Sequence, residues 1–215
     1  MGIFLHSRTL LPGLILTVLF VSAAPTSGNT IAWCGYCCYF SGQQPRFGRL
    51  NFSPEYLVYD ANDPYSVDKA NGVTLHELAH GLGVTSSLLT GGSYVGTTTR
   101  RGKTVTQMTS SIIVQKAREF YGCSSLTGME REDQGGSGTT GSHLERRLAR
   151  DSVMAGITGL NRIDPIFLAL MDSAPWYTAD FSKAEDTVWG NNKYHGKGCG
   201  FVNSLAGTAA AGNGD

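Results

Sequence analysis

The sequence predicts an α+β fold in which strands occupy the first third of the chain and helices most of the remainder. Two strand-like segments come first: an apolar run at 15–21, rich in β-branched and aromatic residues, and a second segment at 31–40. Helical spacing of apolar residues then appears around the HELAH sequence at 76–80. Glycine contributes 28 of the 215 residues and gathers in loop-like stretches, which predicts a loop-rich domain.

Composition and charge narrow the class of protein. A length of 215 residues fits one large domain or two small ones. The 17 basic residues balance the 17 acidic ones, so neither nucleic acid nor an anionic membrane surface is expected as a partner. Hydrophobic residues make up 41% and aromatic residues 10%, which is enough for a core and excludes intrinsic disorder.

The N-terminal segment has two interpretations. Arg8, followed by an apolar run and then small residues, has the pattern of a signal peptide, and composition alone favours this interpretation. The run is too short and too interrupted by proline for a membrane span. The alternative is that 15–21 forms a buried strand.

The following segments are predicted as turn, strand and loop. PTSGNT at 25–30 predicts a turn, and 42–57 predicts a loop with a short extended piece at 49–52. Asn51 begins an Asn-Phe-Ser glycosylation sequence, which matters only in a secreted protein. From the three residues alone, a used and an unused site are equally good interpretations.

A helix is expected to begin after Pro64 and to run through HELAH. Four apolar residues share one face at the spacing i, i+3, i+4 and i+7: Leu75, Leu78, Ala79 and Leu82. Gly83 is placed to end the helix as a C-terminal cap, whereas Gly72 weakens its middle.

Further helices and loops follow. The polar segment at 91–105 is expected to be a surface excursion, and Ser110 or Ser111 should cap a helix that ends at Gly122. The predicted apolar face of that helix consists of Ile113, Ala117 and Phe120. The glycine-rich stretch at 133–143 predicts a loop that ends in a histidine. Asp164 and Pro165 should open another helix through Met171, and the tail from Ala206 is expected to be flexible.

The HELAH sequence is the most informative candidate site. Residues four apart lie on one face of a helix, so the imidazoles of His76 and His80 can reach one metal ion. Glu77 can then address a metal-bound water rather than the metal itself. Neutral imidazoles with an open coordination position suit catalytic Zn²⁺. The alternative is a helix that carries two surface histidines, but the apolar residues on both sides favour a half-buried zinc site.

Gly83 extends the pattern to HExxHxxG, but Ser86 stands where a third histidine would follow in a standard metzincin protease. Three other histidines remain as candidates for the third ligand: His6, His143 and His195. Of these, His143 follows the glycine-rich loop and precedes Met154 by 11 residues, which fits a late histidine followed by a methionine turn. Taken singly, His143 would be a solvated loop residue and Met154 ordinary core.

Five cysteines are present, which leaves at least one thiol unpaired. Three are crowded together, and the other two are isolated: Cys34, Cys37, Cys38, Cys123 and Cys199. Without two CxxC pairs, a thiolate zinc site is a weak hypothesis, whereas disulfides are plausible in an exported protein.

Five segments together resemble leishmanolysin, the surface metalloprotease family of trypanosomatid parasites within the metzincin clan. They are, in chain order, HELAHGLG, AREFYGC, EDQGGSGTTGSH, SVMAG and ADFSKAE. The resemblance spans 17–201. The family places an insertion of about sixty residues before its third histidine, which accounts for Ser86 and for the distance in sequence from His80 to His143.

The resemblance implies a metzincin-like zinc protease domain with a partial N-terminal sheet, an active-site helix and a loop-rich, mainly helical C-terminal part. It implies one Zn²⁺ per chain with these roles: zinc ligands His76, His80 and His143, general base Glu77, Met-turn residue Met154, turn residue Gly83, and a disulfide between Cys123 and Cys199. It also implies that the apolar run is a strand and that Cys37 pairs with a cysteine upstream of this chain. Cys34 and Cys38 have no identified counterpart, and His195 has no assigned role.

Four segments are expected on this basis: an unmatched start at 1–14, a partial N-terminal subdomain at 15–83, the insertion and C-terminal part at 84–205, and a flexible tail at 206–215. The implied function is a zinc-dependent metalloendopeptidase that cleaves proteins or peptides, with no nucleic-acid partner. The resemblance alone suggests a cell-surface, membrane-associated or secreted location. The alternative is a catalytically incompetent surface or cell-adhesion module derived by truncation.

Overall fold

The computed structural model describes residues 5–7, 18–39, 44–90, 94–157 and 159–204. The chain divides into two compact units, Thr9–Val84 and Met1–Arg8 together with Thr85–Asp215. None of the described helices has the length and apolar character that a membrane-spanning helix needs.

The described strands and helices are numbered in chain order. The strands are β1 Leu5–Ser7, β2 Val18–Ala23, β3 Ala32–Tyr39, β4 Pro45–Phe52, β5 Val95–Arg100, β6 Lys103–Met108, β7 Met129–Glu130 and β8 Tyr177–Ala179. The helices are α1 Pro64–Gly81, α2 Ser86–Thr90, α3 Ser111–Tyr121, α4 Arg146–Ala149, α5 Pro165–Ser173, α6 Asn192–His195 and α7 Cys199–Asn203.

The Thr9–Val84 unit is built on a three-stranded sheet of order β2-β4-β3. The central strand β4 is parallel to β2 and antiparallel to β3. The strand interpretation of the apolar run is therefore confirmed for 18–21, but the expected burial is wrong for Val21, which is 65% exposed. The strand predicted at 31–40 is confirmed for 32–39. The loop predicted at 42–57 is wrong for 45–48, which belong to β4, whereas the short extended piece predicted at 49–52 is confirmed as part of the same strand.

Asn51 lies in the middle of this sheet and is only 1% exposed. Its side-chain amide donates to the backbone carbonyl of Ala24 at 3.0 Å, and its amide oxygen accepts from the Ser22 hydroxyl at 2.8 Å. A glycan attached to this buried, fully engaged amide would have no room, so the fold is incompatible with use of the glycosylation sequence.

Helix α1 packs on β3 and β4. It begins as the sequence predicts, because Asp63 accepts hydrogen bonds from the first free backbone N–H groups and Pro64 occupies the first helical position. The helix runs unbroken through Gly72. The apolar face predicted for this helix is only partly correct. Ala79 is buried, whereas the three leucines of that face are half-buried.

The surface position predicted for 91–105 is borne out, since all but one of the described residues at 94–105 are exposed or half-buried, but the sequence did not predict that they form an antiparallel hairpin of β5 and β6. Two residues, Arg101 with φ 52° and Gly102 with φ 79°, connect the strands. Positive φ at both central positions is the requirement of the tight type I′ hairpin turn. The threonine-rich strands then pair from Arg100 with Lys103 to Val95 with Met108.

Helices α3 and α5 pack against each other in the second unit. Ser110 caps α3 by accepting from the Ile113 N–H, and Gly122 ends it in the left-handed conformation, both as predicted. Ile113 and Ala117 are buried as expected, whereas Phe120 is only half-buried. The buried aromatic residue of this helix is Tyr121, whose hydroxyl donates to the Leu148 carbonyl at 3.0 Å.

The remaining elements complete this unit. Helix α5 begins with Asp164 as its cap and Pro165 at its first position, as the sequence predicts. Strand β1 pairs antiparallel with β8, and α2 was not expected from the sequence. The tail predicted from Ala206 lies outside the described residues.

Candidate metal centre

Helix α1 brings His76 and His80 together on one face. Their Nε2 atoms lie 3.2 Å apart, and the two rings meet edge to face with 4.8 Å between centroids. This is the geometry that the spacing of four residues predicts. Both side chains are half-buried, so one metal ion could contact both Nε2 atoms while staying accessible to substrate.

The C-terminal turn of α1 fixes the orientation of the second imidazole. Leu82 caps the helix, and Gly83 follows with φ 118°, so that the N–H of Gly83 reaches the His80 carbonyl and the N–H of Val84 reaches the Ala79 carbonyl. These two bonds form a Schellman motif. The turn directs the Val84 carbonyl to Nδ1 of His80 at 2.5 Å.

The hydrogen bond to Val84 also determines where the proton of the imidazole lies. A carbonyl oxygen can only accept, so Nδ1 of His80 carries the hydrogen and Nε2 presents its lone pair. Metal-ligating histidines in proteins commonly donate their other ring N–H to a carbonyl in this way. The donor chemistry of this pair therefore fits Zn²⁺.

Glu77 lies next to the first histidine and is buried, with 6% exposure. Burial raises the pKa of its carboxyl to about 7, while a hydrogen bond from the backbone N–H of Cys34 lowers it. A cation held by the neighbouring histidines would lower this pKa further. The Cys34 thiol lies close to the same carboxylate, and burial with this negative charge raises the pKa of the thiol to about 12.

His143 lies at the end of the glycine-rich loop in the second unit and is buried. Its Nδ1 lies 2.8 Å from the Thr139 carbonyl and 2.9 Å from the Ser142 hydroxyl. Because the carbonyl must accept, Nδ1 carries the hydrogen and Nε2 again presents a lone pair. Burial lowers the pKa of the imidazole, which favours the neutral, ligating form.

Met154 is fully buried, and its backbone is hydrogen-bonded to the residue that follows His143. Its carbonyl accepts from the N–H of Leu144, the residue after His143, at 2.9 Å. Leu144 also forms a parallel bridge with Ala155. The turn at Met154 thus holds the backbone of the His143 segment.

The structure therefore joins the predicted site residues in two groups. His76, Glu77 and His80 stand together in the Thr9–Val84 unit, and His143 and Met154 stand together in the other. The joint coordination of one metal by three histidines stays a prediction. Of the other candidates, His195 is exposed at the end of α6, and His6 lies on β1 opposite Thr178.

The predicted disulfide between Cys123 and Cys199 is present, with 4.6 Å between the Cα atoms. It joins the segment after α3 to the start of α7. Cys34, Cys37 and Cys38 are free thiols in this chain. The thiols of Cys37 and Cys38 are 3.8 Å apart and exposed.

Two groups of charged residues near the His143 segment were not predicted. The first is the Glu130 cluster, in which one buried carboxylate meets three buried guanidinium groups: Arg100, Arg101 and Arg147. The second consists of carboxylates whose oxygens lie within 4.8 Å of one another: Glu132, Asp133 and Glu145. Burial and the Glu132 charge raise the pKa of Glu145 to about 7. Neither group could be predicted from the sequence, because its members lie in segments that come together only in the fold.

Comparison with known proteins gives a consistent result. The leishmanolysin family model of peptidase M8 matches residues 10–206. The chain is 38% identical over 188 residues to a leishmanolysin homolog of Crithidia fasciculata and 34% identical over 189 residues to leishmanolysin of Leishmania donovani. It is 28% identical over 234 residues to a leishmanolysin-like peptidase of Drosophila melanogaster. Each alignment covers 86% of this chain but only 27%, 30% and 33% of the respective relative.

Proposed function

Because this chain belongs to the leishmanolysin family of peptidases, we propose that it is a zinc-dependent metalloendopeptidase that hydrolyses peptide bonds in proteins. The observation that carries the proposal is the pair of imidazoles on α1. Their Nε2 atoms converge, the Val84 carbonyl holds the second ring, and a buried carboxylate stands beside them. The chain spans about a third or less of these relatives, so activity, substrates and location are all proposals for the chain itself.

The proposed zinc ligands are His76, His80 and His143, in a metzincin-like arrangement with Met154 as the Met-turn residue. The hydrogen bonds that occupy Nδ1 of His80 and of His143 support this assignment, because they leave Nε2 of each ring as the donor atom. Zinc, when bound, supplies Lewis-acid activation of the scissile carbonyl and of the attacking water.

Glu77 is the proposed general base. Its carboxylate takes a proton from the attacking water and later passes that proton to the leaving amine. Burial raises the pKa of Glu77, which favours proton uptake by its carboxylate, whereas a bound zinc would lower that pKa again. The hydrogen bond from the Cys34 backbone fixes the carboxylate against β3, so that its position does not depend on the substrate.

The proposed substrates are proteins or peptides, and the proposed location is the cell surface or the extracellular space. The disulfide between Cys123 and Cys199 supports an exported protein, because such bonds persist in oxidising compartments.

The test is cleavage of unfolded casein by the zinc-loaded 215-residue chain, compared with Glu77→Gln. We expect the variant to keep one zinc per chain and to lose about 10²–10⁴-fold in turnover, because general-base help has this magnitude. Asp68→Asn is the matched control, since it makes the same chemical change at an exposed position of the same helix. Zinc content of His143→Ala, with the exposed His195→Ala as its control, tests the third ligand.

The outcomes separate the alternatives. Cleavage that survives Glu77→Gln would refute Glu77 as the base, and unchanged zinc affinity in His143→Ala would remove that ligand. One bound zinc without any chelator-sensitive cleavage in the wild-type chain would refute the enzyme and favour a non-catalytic surface module.

A further inference from the structure

The buried carboxylate of Glu132 lies at the base of the glycine-rich loop that carries His143. Glu132 is 1% exposed and follows β7 by two residues. Its backbone N–H donates to the His143 carbonyl at 3.0 Å, and its own carbonyl accepts from the N–H of Gly141 at 2.9 Å. The backbone of one residue thus holds both the histidine and the end of the loop that precedes it.

The side chain of Glu132 then joins the two ends of the loop. One carboxylate oxygen, Oε1, accepts from the N–H of Gln134 at 2.9 Å, and Oε2 accepts from the N–H of Arg146 at 3.1 Å. Gln134 lies near the start of the loop, and Arg146 lies three residues after His143. Two acceptor oxygens at this position therefore set the separation of the segments on either side of the histidine.

Glu132 also contacts the turn that follows Met154. A Cβ added to Gly156 would lie 3.1 Å from Oε2 of Glu132 and 2.6 Å from Cγ2 of Thr139. Both side chains therefore pack directly on the Gly156 backbone. Thr139 is the residue whose carbonyl accepts from Nδ1 of His143, so this contact ties the turn to the group that orients the imidazole.

Charge alone does not explain a carboxylate here. The oxygens of Asp133 and Glu145 lie within 4.8 Å of those of Glu132, and like charges at this distance repel each other. The two hydrogen bonds that Glu132 accepts explain why a carboxylate is buried here. A carboxylate offers two equivalent acceptor oxygens, whereas the carboxamide of glutamine offers only one.

From these contacts we propose that Glu132 is a positioning residue for His143, acting through the backbone of the glycine-rich loop and the turn at Gly156. The proposal rests on the proposed function, because it takes His143 to be a zinc ligand. It assigns Glu132 no contact with substrate or metal. Its role is to hold Nε2 of His143 at the place where coordination requires it.

The test compares Glu132→Gln and Glu132→Ala in the full chain. Glutamine keeps one acceptor oxygen and nearly the same shape, whereas alanine removes both hydrogen bonds. We expect zinc affinity, measured by competition with a chromophoric chelator, to fall by about 10- to 100-fold for the alanine variant and by less for glutamine. At saturating Co²⁺, the visible absorption bands should shift in the alanine variant, because the geometry at the metal changes. A general loss of stability would lower the melting temperature without this spectral shift.

Asp133→Asn is the matched control. It makes the same change of charge one residue away, at a half-exposed carboxylate paired with Lys103 at 3.1 Å, and should leave zinc affinity and the cobalt spectrum unchanged. Wild-type affinity and spectrum in both Glu132 variants would overturn the proposal, as would an equal effect of Asp133→Asn. If His143→Ala weakens zinc binding while the Glu132 variants do not, the positioning role alone is refuted. If His143→Ala binds zinc normally, the ligand assignment is refuted.

Discussion

Replacing Gly83 with alanine would test whether the end of helix α1 orients a metal ligand or only terminates a helix. Gly83 has φ 118°, in the region where residues with a side chain are strained. Its turn brings the Val84 carbonyl to Nδ1 of His80 at 2.5 Å. The substitution therefore acts on the helix end and on the imidazole through the same backbone.

The expected cost follows from the turn. If the substituted alanine keeps the positive φ, the steric penalty lowers the free energy of unfolding by roughly 1–2 kcal/mol. If the turn relaxes instead, it loses the bonds from Gly83 to His80 and from Val84 to Ala79, each 3.0 Å long and each contributing about 0.5–1.5 kcal/mol. For a chain of this size, the first route predicts a fall in melting temperature of about 2–8 °C and the second a fall of about 2–12 °C.

The effect on the metal distinguishes the two roles of the turn. Loss of a hydrogen-bonded partner of a ligating histidine commonly weakens metal binding by about 10- to 100-fold. If the turn relaxes, the Val84 carbonyl leaves Nδ1 of His80, and zinc affinity measured by chelator competition should fall by this factor in Gly83→Ala; if alanine keeps the turn, only thermal unfolding should change.

Gly28→Ala is the control for backbone strain. Gly28 has φ 59° in the turn between β2 and β3 of the same unit, and an added Cβ would meet no atom within 4 Å. This variant should lose comparable stability and keep wild-type zinc affinity. Equal zinc affinities in the two variants, with a structure of Gly83→Ala in which the Val84 carbonyl has left Nδ1 of His80, would refute the idea that this carbonyl orients the imidazole.

Two further predictions concern the second unit. Cys199→Ser should lower the free energy of unfolding by about 2–4 kcal/mol, because the bond to Cys123 spans 76 residues of sequence. Guanidinium unfolding with and without reductant checks this. The reductant should lower the unfolding midpoint of the wild type and leave that of the variant unchanged. Glu130→Gln should cost about 3–5 kcal/mol, because it leaves the guanidinium groups of the Glu130 cluster buried without their anion, whereas Asp133→Asn, which breaks the exposed pair with Lys103, should cost under about 1 kcal/mol. Equal unfolding midpoints for these two variants would contradict the argument.

Helix ends and the residues they carry could be predicted because their signals are local. Ser110 before α3 and Asp164 before Pro165 each satisfy free N–H groups within three residues of themselves. The spacing of His76 and His80 works in the same way, since a helix converts four residues of sequence into one shared face.

The errors lie where tertiary pairing decides the structure. Strand β4 contains Pro45, Gly48 and exposed Arg46 and Arg49, which obscure any alternation of apolar and polar residues. It is a strand because β2 and β3 pair with its two edges. The hairpin of β5 and β6 was missed because Arg101, rather than asparagine or aspartate, stands before Gly102 in the turn. The bidentate pairing of that arginine with Glu130 holds it in place, and Glu130 is distant in sequence.

The same distinction separates the groups that would bind a metal from the groups that orient them. Imidazole and carboxylate side chains are specified by residue type, so HELAH and the histidine after the glycine-rich loop could be found in the sequence. The partners of Nδ1 are the backbone carbonyls of Val84 and Thr139, and a residue of any type supplies a carbonyl. Residue type matters only for the residues that shape those backbones. Gly83 allows a positive φ, and Glu132 supplies two acceptor oxygens on one side chain. Gly83 belongs to the known HExxHxxG pattern and could be identified in the sequence. The role proposed for Glu132 becomes visible only in the folded loop, where its carboxylate accepts from the N–H groups of Gln134 and Arg146.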